Sequence, residues 1–260
     1  MMGRPATILK KLPFSDAPER WRQGEQIAIV YLAGDMVDGE SQNIPFINIR
    51  LAGSRTISKA LRQAREDSSV KAVVFRIETG GGSSLAADVI LREAQLVAKQ
   101  KPLIVSMGSS AASGGYYVAV GAGKQYPVFA NRGTVTGSIG IFYGKVDTSG
   151  LLNKLGVGSE AFRTGPRADA ESLFRPFTED ERTELSKKVK QFYDLFVGRV
   201  AEGRKLTPEQ VDAVARGKVW TGAQAKERGL VDRIGGLREA LAAARQAAEL
   251  SEDAGIVEFP

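Results

Sequence analysis

Apolar, β-branched segments alternate with amphipathic segments in the first half of the chain, and this alternation most constrains the fold. Residues 26–33 and 71–77 are rich in Val, Ile and Ala and predict buried strands, and residues 102–107 predict a third. Residues 55–66, between the first two strands, carry apolar side chains at helical spacing. A strand–helix–strand order predicts parallel pairing with helical crossovers, and therefore an α/β fold.

Two glycine-rich turns follow predicted strands. Gly80–Ser83 comes after the second strand, and Ser113–Gly115 comes after the third. Ligands of parallel sheets bind at the carboxyl ends of the strands. Because neighbouring strands end at the same edge, we expect the two turns to lie side by side there and to form the functional site.

The rest of the chain is divided by composition and helical pattern. The capping box Thr178–Glu181 opens a long helix, and further helices are predicted from residue 207, from residue 221 and over 236–249. We assign residues 1–24 to a linker or leader, 25–250 to a single domain and 251–260 to a tail, with a loop over 38–54. The long helix and the Ala-rich last helix offer apolar faces that predict a homo-oligomer.

The chain has no histidine and no cysteine. Disulfides and thiol nucleophiles are therefore excluded, a zinc site is disfavoured, and we expect no cofactor. The net charge of +6 comes from 36 basic and 30 acidic residues that are intermixed along the chain. Since the basic residues neither cluster nor alternate with aromatic ones, we predict no nucleic-acid partner.

Ser113 is the candidate nucleophile. It lies in Ala111–Tyr117, between small residues and a Gly-Gly pair, where a hydroxyl can be exposed beside free amides. Imidazole cannot activate it in a chain without histidine, and lysine is the common substitute. The alternative interpretation is a serine that only caps the following helix.

Acyl transfer also needs donors for the developing oxyanion. The N–H of Gly114, directly after the serine, is one candidate, and the N–H of Gly82 or of its neighbour Gly81 is the other. No Gly-Lys-Ser/Thr follows the triple glycine, which disfavours a phosphate-binding loop. Ser138 is either part of a polar turn or a second hydroxyl that holds a base amine in place.

Four spaced motifs resemble the signal peptide peptidase A family of serine–lysine proteases over about residues 26–248: Met107-Gly108 with Ala111–Tyr117, Thr136–Gly140, Val219–Gly222 with Ala225-Lys226, and Gly229–Asp232. The resemblance implies a Clp/crotonase-like α/β fold of repeated ββα units with a helical C-terminal part. It also implies oligomers that enclose a chamber, and cleavage of signal peptides released from the membrane.

The resemblance further assigns roles to individual residues. Ser113 would be the nucleophile, Ser138 the hydroxyl that orients the lysine, and Gly82 and Gly114 the oxyanion hole. The family has Ser-Pro-Gly-Gly at the first turn, where this chain has Thr79–Gly82. Loss of the proline is expected to loosen this turn and to leave the amide donors in place.

The base lysine is missing from the position at which short family members carry it, in a Gly-Lys-Tyr-Lys-Asp-like segment. Here Gly165–Asp169 contains an arginine, and no lysine occurs between Lys154 and Lys187. Arginine stays protonated and cannot replace it. Long family members have two tandem copies, and the N-terminal copy supplies the lysine. This chain resembles the C-terminal copy, so we expect the general base to lie on another copy. Lys145 and Lys154 are the alternatives on this chain.

Two other function classes stay open. A crotonase-type acyl-CoA enzyme would also use paired amides, to hold a thioester oxyanion, and an assembly subunit could keep the fold without activity. No apolar run approaches the roughly 20 residues needed to cross a bilayer. The resemblance implies a membrane-associated full-length protein with its catalytic part on the extracytoplasmic side, and this chain is expected to be soluble.

Overall fold

The computed structural model describes residues 24–45 and 49–259. The predicted linker over 1–24 lies outside these residues except for its last position. The strands are β1 Gln26–Ala33, β2 Asp35–Val37, β3 Gln42–Ile44, β4 Ile49–Gly53, β5 Val70–Thr79, β6 Leu103–Ala112, β7 Val128–Ala130, β8 Val135–Gly137, β9 Val219–Thr221, β10 Arg233–Ile234 and β11 Gly255–Phe259. The helices are α1 Ser54–Glu66, α2 Ser84–Ala98, α3 Gly114–Ala119, α4 Ser149–Lys154, α5 Glu179–Arg204, α6 Pro208–Val214, α7 Gly222–Glu227 and α8 Leu237–Ala247.

An eight-stranded sheet forms the centre of the described part of the chain. Its main order is β10-β7-β6-β5-β1-β11, and β8 pairs with β6 beyond the end of β7. These pairings are all parallel, and β9 joins β8 antiparallel. The predicted α/β fold with a parallel sheet is confirmed. The connection from β1 to β5 contains β2, β3, β4 and α1, and the connection from β5 to β6 contains α2.

The two faces of the sheet are covered by different helices. Along β1, Ala28, Val30 and Leu32 belong to the larger core, which also includes buried residues of α1, α2, α3 and α5. Ile27 and Ile29 point to the opposite face, where α8 packs. Both faces are therefore apolar, as expected for a parallel sheet covered on both sides.

The structure differs from the sequence prediction at two segments. The predicted loop over 38–54 contains β3 and β4, which form a small separate sheet with β2. The predicted tail over 251–260 contains β11, which pairs with β1 along five residues. β3 and β11 are short and largely exposed, so their sequences lack the apolar run that marks a buried strand.

The C-terminal helix does not offer the free apolar face that we expected. Ala240 and Ala244 of α8 are fully buried against the sheet. That face is used inside the chain, because α8 is the helix that covers the second side of the sheet. On α5, by contrast, Phe192 and Leu195 are exposed.

Candidate active site

The two glycine-rich turns meet at the carboxyl edge of the sheet, as predicted. β5 and β6 are neighbours, and Thr79 at the end of β5 pairs with Ala111 near the end of β6. A β-carbon placed on Gly81 would lie 2.8 Å from the Ser113 β-carbon and 3.1 Å from its Oγ. The first turn therefore packs directly against the serine.

Ser113 has an unusual backbone conformation. Its φ of 52° lies in the left-handed region that side chains rarely adopt, between the end of β6 and the start of α3. The Ser113 N–H donates to the Gly137 carbonyl at 2.9 Å, and the Ser113 carbonyl accepts from Tyr117 N–H at 2.9 Å. These bonds on both sides hold a conformation that is costly in isolation.

The Ser113 hydroxyl does not cap the helix that follows. Ser113 occupies the N-cap position of α3, but its side chain makes no capping hydrogen bond there. The interpretation as a simple helix cap is thus wrong for the hydroxyl. The side chain is half-buried and lines both cavities described below.

The backbone amides beside Ser113 differ in whether they already donate a hydrogen bond within the chain. Gly81 N–H donates to Thr79 Oγ1 at 3.0 Å. Within residues 24–45 and 49–259, neither Gly82 N–H nor Gly114 N–H donates to a protein acceptor. The Thr79 side chain thereby fastens the turn that lacks the family's proline, and it leaves Gly82 rather than Gly81 available as the first donor.

Glycine is required at position 82 for two reasons. Its φ is 142°, and a β-carbon there would collide with the carbonyl oxygen of Met36. Met36 N–H donates to the Gly81 carbonyl and the Met36 carbonyl accepts from Ser83 N–H, each at 2.8 Å. The turn is thus bonded to β2 on one side while the Gly82 amide remains exposed.

Ser138 lies beside Ser113 because their strands are paired. Ala112 is in register with Gly137, so the two serines are the first residues after adjacent parallel strands. Ser138 also has a left-handed backbone, with φ 49°, and its N–H donates to the Lys218 carbonyl at 2.8 Å. Its hydroxyl is not hydrogen-bonded to any residue that the structure describes.

A cavity of about 710 Å³ contains both serines, and we call it the polar cavity because both hydroxyls and three ionisable side chains line it. Its wall includes the glycines of the first turn and three ionisable side chains, Asp35, Tyr193 and Arg216. None of the residues that line it is a lysine. The cavity therefore joins the two hydroxyls and leaves space beside Ser138 into which another side chain can reach.

The lysines considered as alternatives lie elsewhere. Lys145 Nζ donates to the carbonyls of Ala170 and Ser172 at 2.6 and 2.7 Å, and it lies 4.3 Å from the centre of the Phe177 ring. Lys154 is exposed at the end of α4. Neither lines a cavity that contains Ser113.

The arginine of the segment where short family members carry lysine is also engaged. Arg167 forms a two-pronged ion pair with Asp180, at 2.7 and 2.9 Å. It lies outside both cavities, so it takes no place beside Ser113.

A second, apolar cavity of about 260 Å³ opens from Ser113 on the side of Gly114. Its wall includes the large apolar side chains of Leu85 of α2, of Phe142, and of three residues of α5, Phe192, Leu195 and Phe196. The helical spacing on α5 predicted core packing or a subunit contact, without a role in the site; Phe196 is buried and Phe192 is exposed. The sequence does not distinguish the two, because which face of α5 meets the site depends on tertiary packing.

Two polar residues of the apolar cavity had no role assigned from the sequence: Asp88 lies in no motif, and Tyr117 only ends the motif that contains Ser113. Tyr117 of α3 donates its hydroxyl to Asp88 of α2 at 2.7 Å. Burial, assisted by this hydrogen bond, raises the pKa of Tyr117 to about 12, so the phenol stays protonated. The tyrosine ring packs edge-on against Phe196 with centroids 4.9 Å apart.

A half-buried serine hydroxyl that opens onto a cavity, on a strained turn with two unoccupied amides beside it, is the arrangement of serine-type hydrolases. Similarity to known proteins identifies the peptidase family to which the chain belongs. Residues 95–251 match the family described as Peptidase family S49. The chain belongs to this family of serine-type peptidases, and within it to the signal peptide peptidase A family.

Several relatives share most of the chain. It is 37% identical over 252 residues to Protease 4 of Haemophilus influenzae, which covers 96% of this chain and 39% of that protein. It is 35% identical over 254 residues to the chloroplastic serine protease SPPA of Arabidopsis thaliana, covering 93% of this chain and 36% of that protein. The chain thus spans less than two-fifths of the length of these curated relatives.

A solved structure shares the fold at low identity. It is a mutant of the 1510-N membrane-bound stomatin-specific protease, with a TM-score of 0.57 and 13% identity. The likeness covers 91% of this chain and 98% of that one. Among the helices of the described residues, none combines the length and the apolar character needed to cross a membrane.

Proposed function

We propose that this chain carries the nucleophile half of a serine–lysine peptidase, with its general base supplied by another copy of the domain. The observation that carries the proposal is the shared cavity in which Ser113 and Ser138 lie together, beside the unoccupied amides of Gly82 and Gly114, without a lysine. The chain's similarity to about two-fifths of longer relatives fits a two-copy protein.

In the proposed reaction Ser113 Oγ attacks the carbonyl carbon of the scissile peptide bond. The serine proton passes to the neutral lysine amine, which Ser138 holds in place. The negative oxygen of the tetrahedral intermediate accepts hydrogen bonds from Gly82 and Gly114 N–H. The lysine then protonates the leaving amine, and an acyl-enzyme remains on Ser113. Water, deprotonated by the lysine, hydrolyses that ester and restores the serine.

The substrates are proposed from the family and from the shape of the site. The peptidase family implies peptides, and the family name points to signal peptides released from the membrane. Such peptides are apolar, in keeping with the apolar cavity beside Gly114. We propose that the full-length protein is membrane-associated, with its site on the extracytoplasmic side.

The proposal also includes the domain and its assembly. It treats residues from about 25 onward as one protease domain of Clp/crotonase-like fold, extended by β11 to Phe259, and it includes homo-oligomers. Exposed aromatic side chains such as Phe142 and Phe162, at 95% and 90% exposure, support an assembly that covers them.

Fluorophosphonate labelling tests the division of the site between copies. Ser113 in this chain alone should react slowly, and in the full-length two-copy protein about 10²–10⁴-fold faster, the usual contribution of a general base. Ser113→Ala should remove the label in both. Equally fast labelling of this chain alone would show that it contains its own base.

Hydrolysis separates the other two function classes. Ser113→Ala should abolish peptide hydrolysis by the full-length protein. Unchanged hydrolysis would favour a non-catalytic assembly subunit, and saturable binding of acyl-CoA by calorimetry would favour the crotonase class.

A further inference from the structure

We propose that Asp88 makes the apolar cavity selective for a tyrosine side chain in the residue on the acyl side of the scissile bond. This inference rests on the proposed function and names the substrate class of the same site. It follows from where the cavity lies, from what the Asp88 carboxylate already binds, and from the cation beside it.

The position of the cavity decides which substrate residue it receives. In the attack, the scissile carbonyl carbon lies at Ser113 Oγ and its oxygen lies between the amides of Gly82 and Gly114. The substrate residue that carries this carbonyl is then in contact with Ser113, Gly82 and Gly114. The apolar cavity touches all three, whereas Gly114 is not part of the polar cavity's wall. The side chain on the acyl side therefore enters the apolar cavity.

The carbon wall and the volume of this cavity favour an aromatic ring. Leu85, Phe192, Leu195 and Phe196 contribute side chains around about 260 Å³. Burial of a ring there gains the area-dependent hydrophobic term, and neighbouring aromatic rings add edge-on contacts. Phenylalanine and tyrosine fit these requirements equally, so discrimination between them must come from the polar part of the wall.

Asp88 supplies an acceptor in that polar part. Its Oδ1 accepts the Tyr117 hydroxyl at 2.7 Å. In the described residues no donor reaches its Oδ2, and the side chain is 48% exposed. One carboxylate oxygen is therefore open to a donor at the tip of an incoming side chain, and a hydrogen bond to a charged acceptor is stronger than a neutral one.

The charge around Asp88 favours a neutral donor over a cation. Arg199 NH2 lies 3.8 Å from Asp88 Oδ1, its NH1 lies 3.8 Å from the exposed Glu202, and its Nε is buried without a hydrogen-bond partner among the described residues. The guanidinium offsets the carboxylate and repels a lysine or arginine tip at this point. A phenol donates one hydrogen bond and brings no charge, so tyrosine is the side chain that suits both the carbon wall and Asp88.

The test compares matched peptides that differ only by the hydroxyl. Binding to this chain is measured by calorimetry with product peptides that end in Ala-Ala-Tyr, Ala-Ala-Phe or Ala-Ala-Lys. Hydrolysis by the full-length protein is measured as kcat/KM with substrates of the same three acyl residues. We expect tyrosine to be preferred over phenylalanine by about tenfold in both measurements, and lysine to be poorest.

The variants separate Asp88 from its neighbours. Asp88→Asn keeps the shape and Asp88→Ala removes the acceptor, and in both the tyrosine-to-phenylalanine ratio should fall below about three. Tyr117→Phe should retain the ratio, because it leaves the carboxylate in place. Asp194→Ala, which removes an exposed carboxylate of α5 that pairs with Lys190, is the control and should change neither ratio nor rate.

The outcomes distinguish this inference from the proposed function. Equal treatment of tyrosine and phenylalanine by the unmodified protein, or a preference that survives Asp88→Ala, would overturn the role of Asp88. Loss of the preference in Tyr117→Phe would transfer the role to Tyr117 and also overturn it. A tyrosine preference in binding, without any hydrolysis that depends on Ser113, would overturn the proposed function alone.

Discussion

The carboxyl edge of the sheet and the segment that follows it in the chain are stabilised in different ways. We call this segment, residues 141–178, the arm. At the edge, β5, β6 and β8 fix Ser113 and Ser138 through ladder hydrogen bonds and a buried core. The arm, all of whose residues the structure describes, contains the short helix α4 and no strand. Several of its large apolar side chains are exposed.

Polar bonds take the place of a core in the arm. Arg175 bridges Asp169 and Glu181, with bonds of 2.6 to 2.8 Å, and so connects the arm to the first turn of α5. Lys145 donates to two arm carbonyls. A site that must hold atoms to a fraction of an ångström is thus built on strand ends, and the segment beside it is held by bonds that can open locally.

The largest effect is expected at the edge, from Gly82→Ala. The φ of 142° and the collision with Met36 would displace the turn, at a cost of about 1–3 kcal/mol in unfolding free energy and about 10²-fold or more in kcat. Gly80→Ala is the matched control, since its β-carbon would meet nothing within 4 Å. For each variant, denaturant unfolding measures the change in unfolding free energy, and peptide hydrolysis by the full-length protein measures the change in kcat. Equal effects of the two substitutions would contradict the geometry of the turn.

A smaller, local effect is expected in the arm from Arg175→Leu. Asp169 and Glu181 lose the cation that joins them, and Asp169 keeps only the longer, 3.4 Å contact with Arg163. The arm should therefore be cut roughly tenfold faster by chymotrypsin while the global unfolding midpoint changes little. Arg167→Leu, which removes the exposed pair with Asp180 and the 3.9 Å pair with Glu184, should leave the cleavage rate nearly unchanged. Loss of the whole fold in Arg175→Leu would show that arm and sheet unfold together.

The same bridge makes the arm sensitive to acid. Hydrogen bonds from Arg175 lower the pKa of Asp169 from 3.8 and of Glu181 from 4.5, each to about 2. A lowered pKa in the folded state means that the stabilisation is complete above about pH 4.5 and is lost as the pH falls toward 2. Hydrogen exchange over residues 141–178 should therefore accelerate in that window before the sheet opens. In Arg175→Leu this pH dependence should weaken, and what remains should come from Arg163 beside Asp169 and from the Thr178 N–H that donates to Glu181.

The smallest effect on folding is expected from Phe162→Ser. The ring is 90% exposed, so the unfolding free energy of this chain should change by no more than about 0.5 kcal/mol. If the proposed assembly covers the arm, the same substitution should weaken association of the full-length protein in light scattering. A large loss of stability in this chain alone would mean that the ring packs against the chain itself.

The contrast between the buried sheet and the exposed segments also explains which elements the sequence could predict. The strands β1 and β5 follow from long apolar runs, and the meeting of the two turns follows from parallel pairing. The last five residues of β6, Gly108–Ala112, are small and polar in part and lack that pattern, so the predicted strand ended too early. Exposed β3 and β11 were missed for the same reason.

The finer features of the site depend on tertiary contacts. Which of Gly81 and Gly82 has an unoccupied amide is decided by the Thr79 side chain. The bond between Tyr117 and Asp88 joins two helices and has no motif. Motifs therefore indicated the reacting groups, and packing determined the walls around them. The roles of Ser113, Ser138, Gly82 and Gly114, and the absent lysine, remain predictions for the experiments above.

The pairing of β1 with β11 has a consequence for biosynthesis. Tyr31 of β1 donates its hydroxyl to Glu258 of β11, across 227 positions of the sequence. During synthesis, one edge of β1 has no strand to pair with until the residues between β1 and β11 have left the ribosome. Nascent chains would expose this unpaired strand edge to one another during that interval. Truncation before Gly255 would make the exposure permanent, and such a product should aggregate during expression.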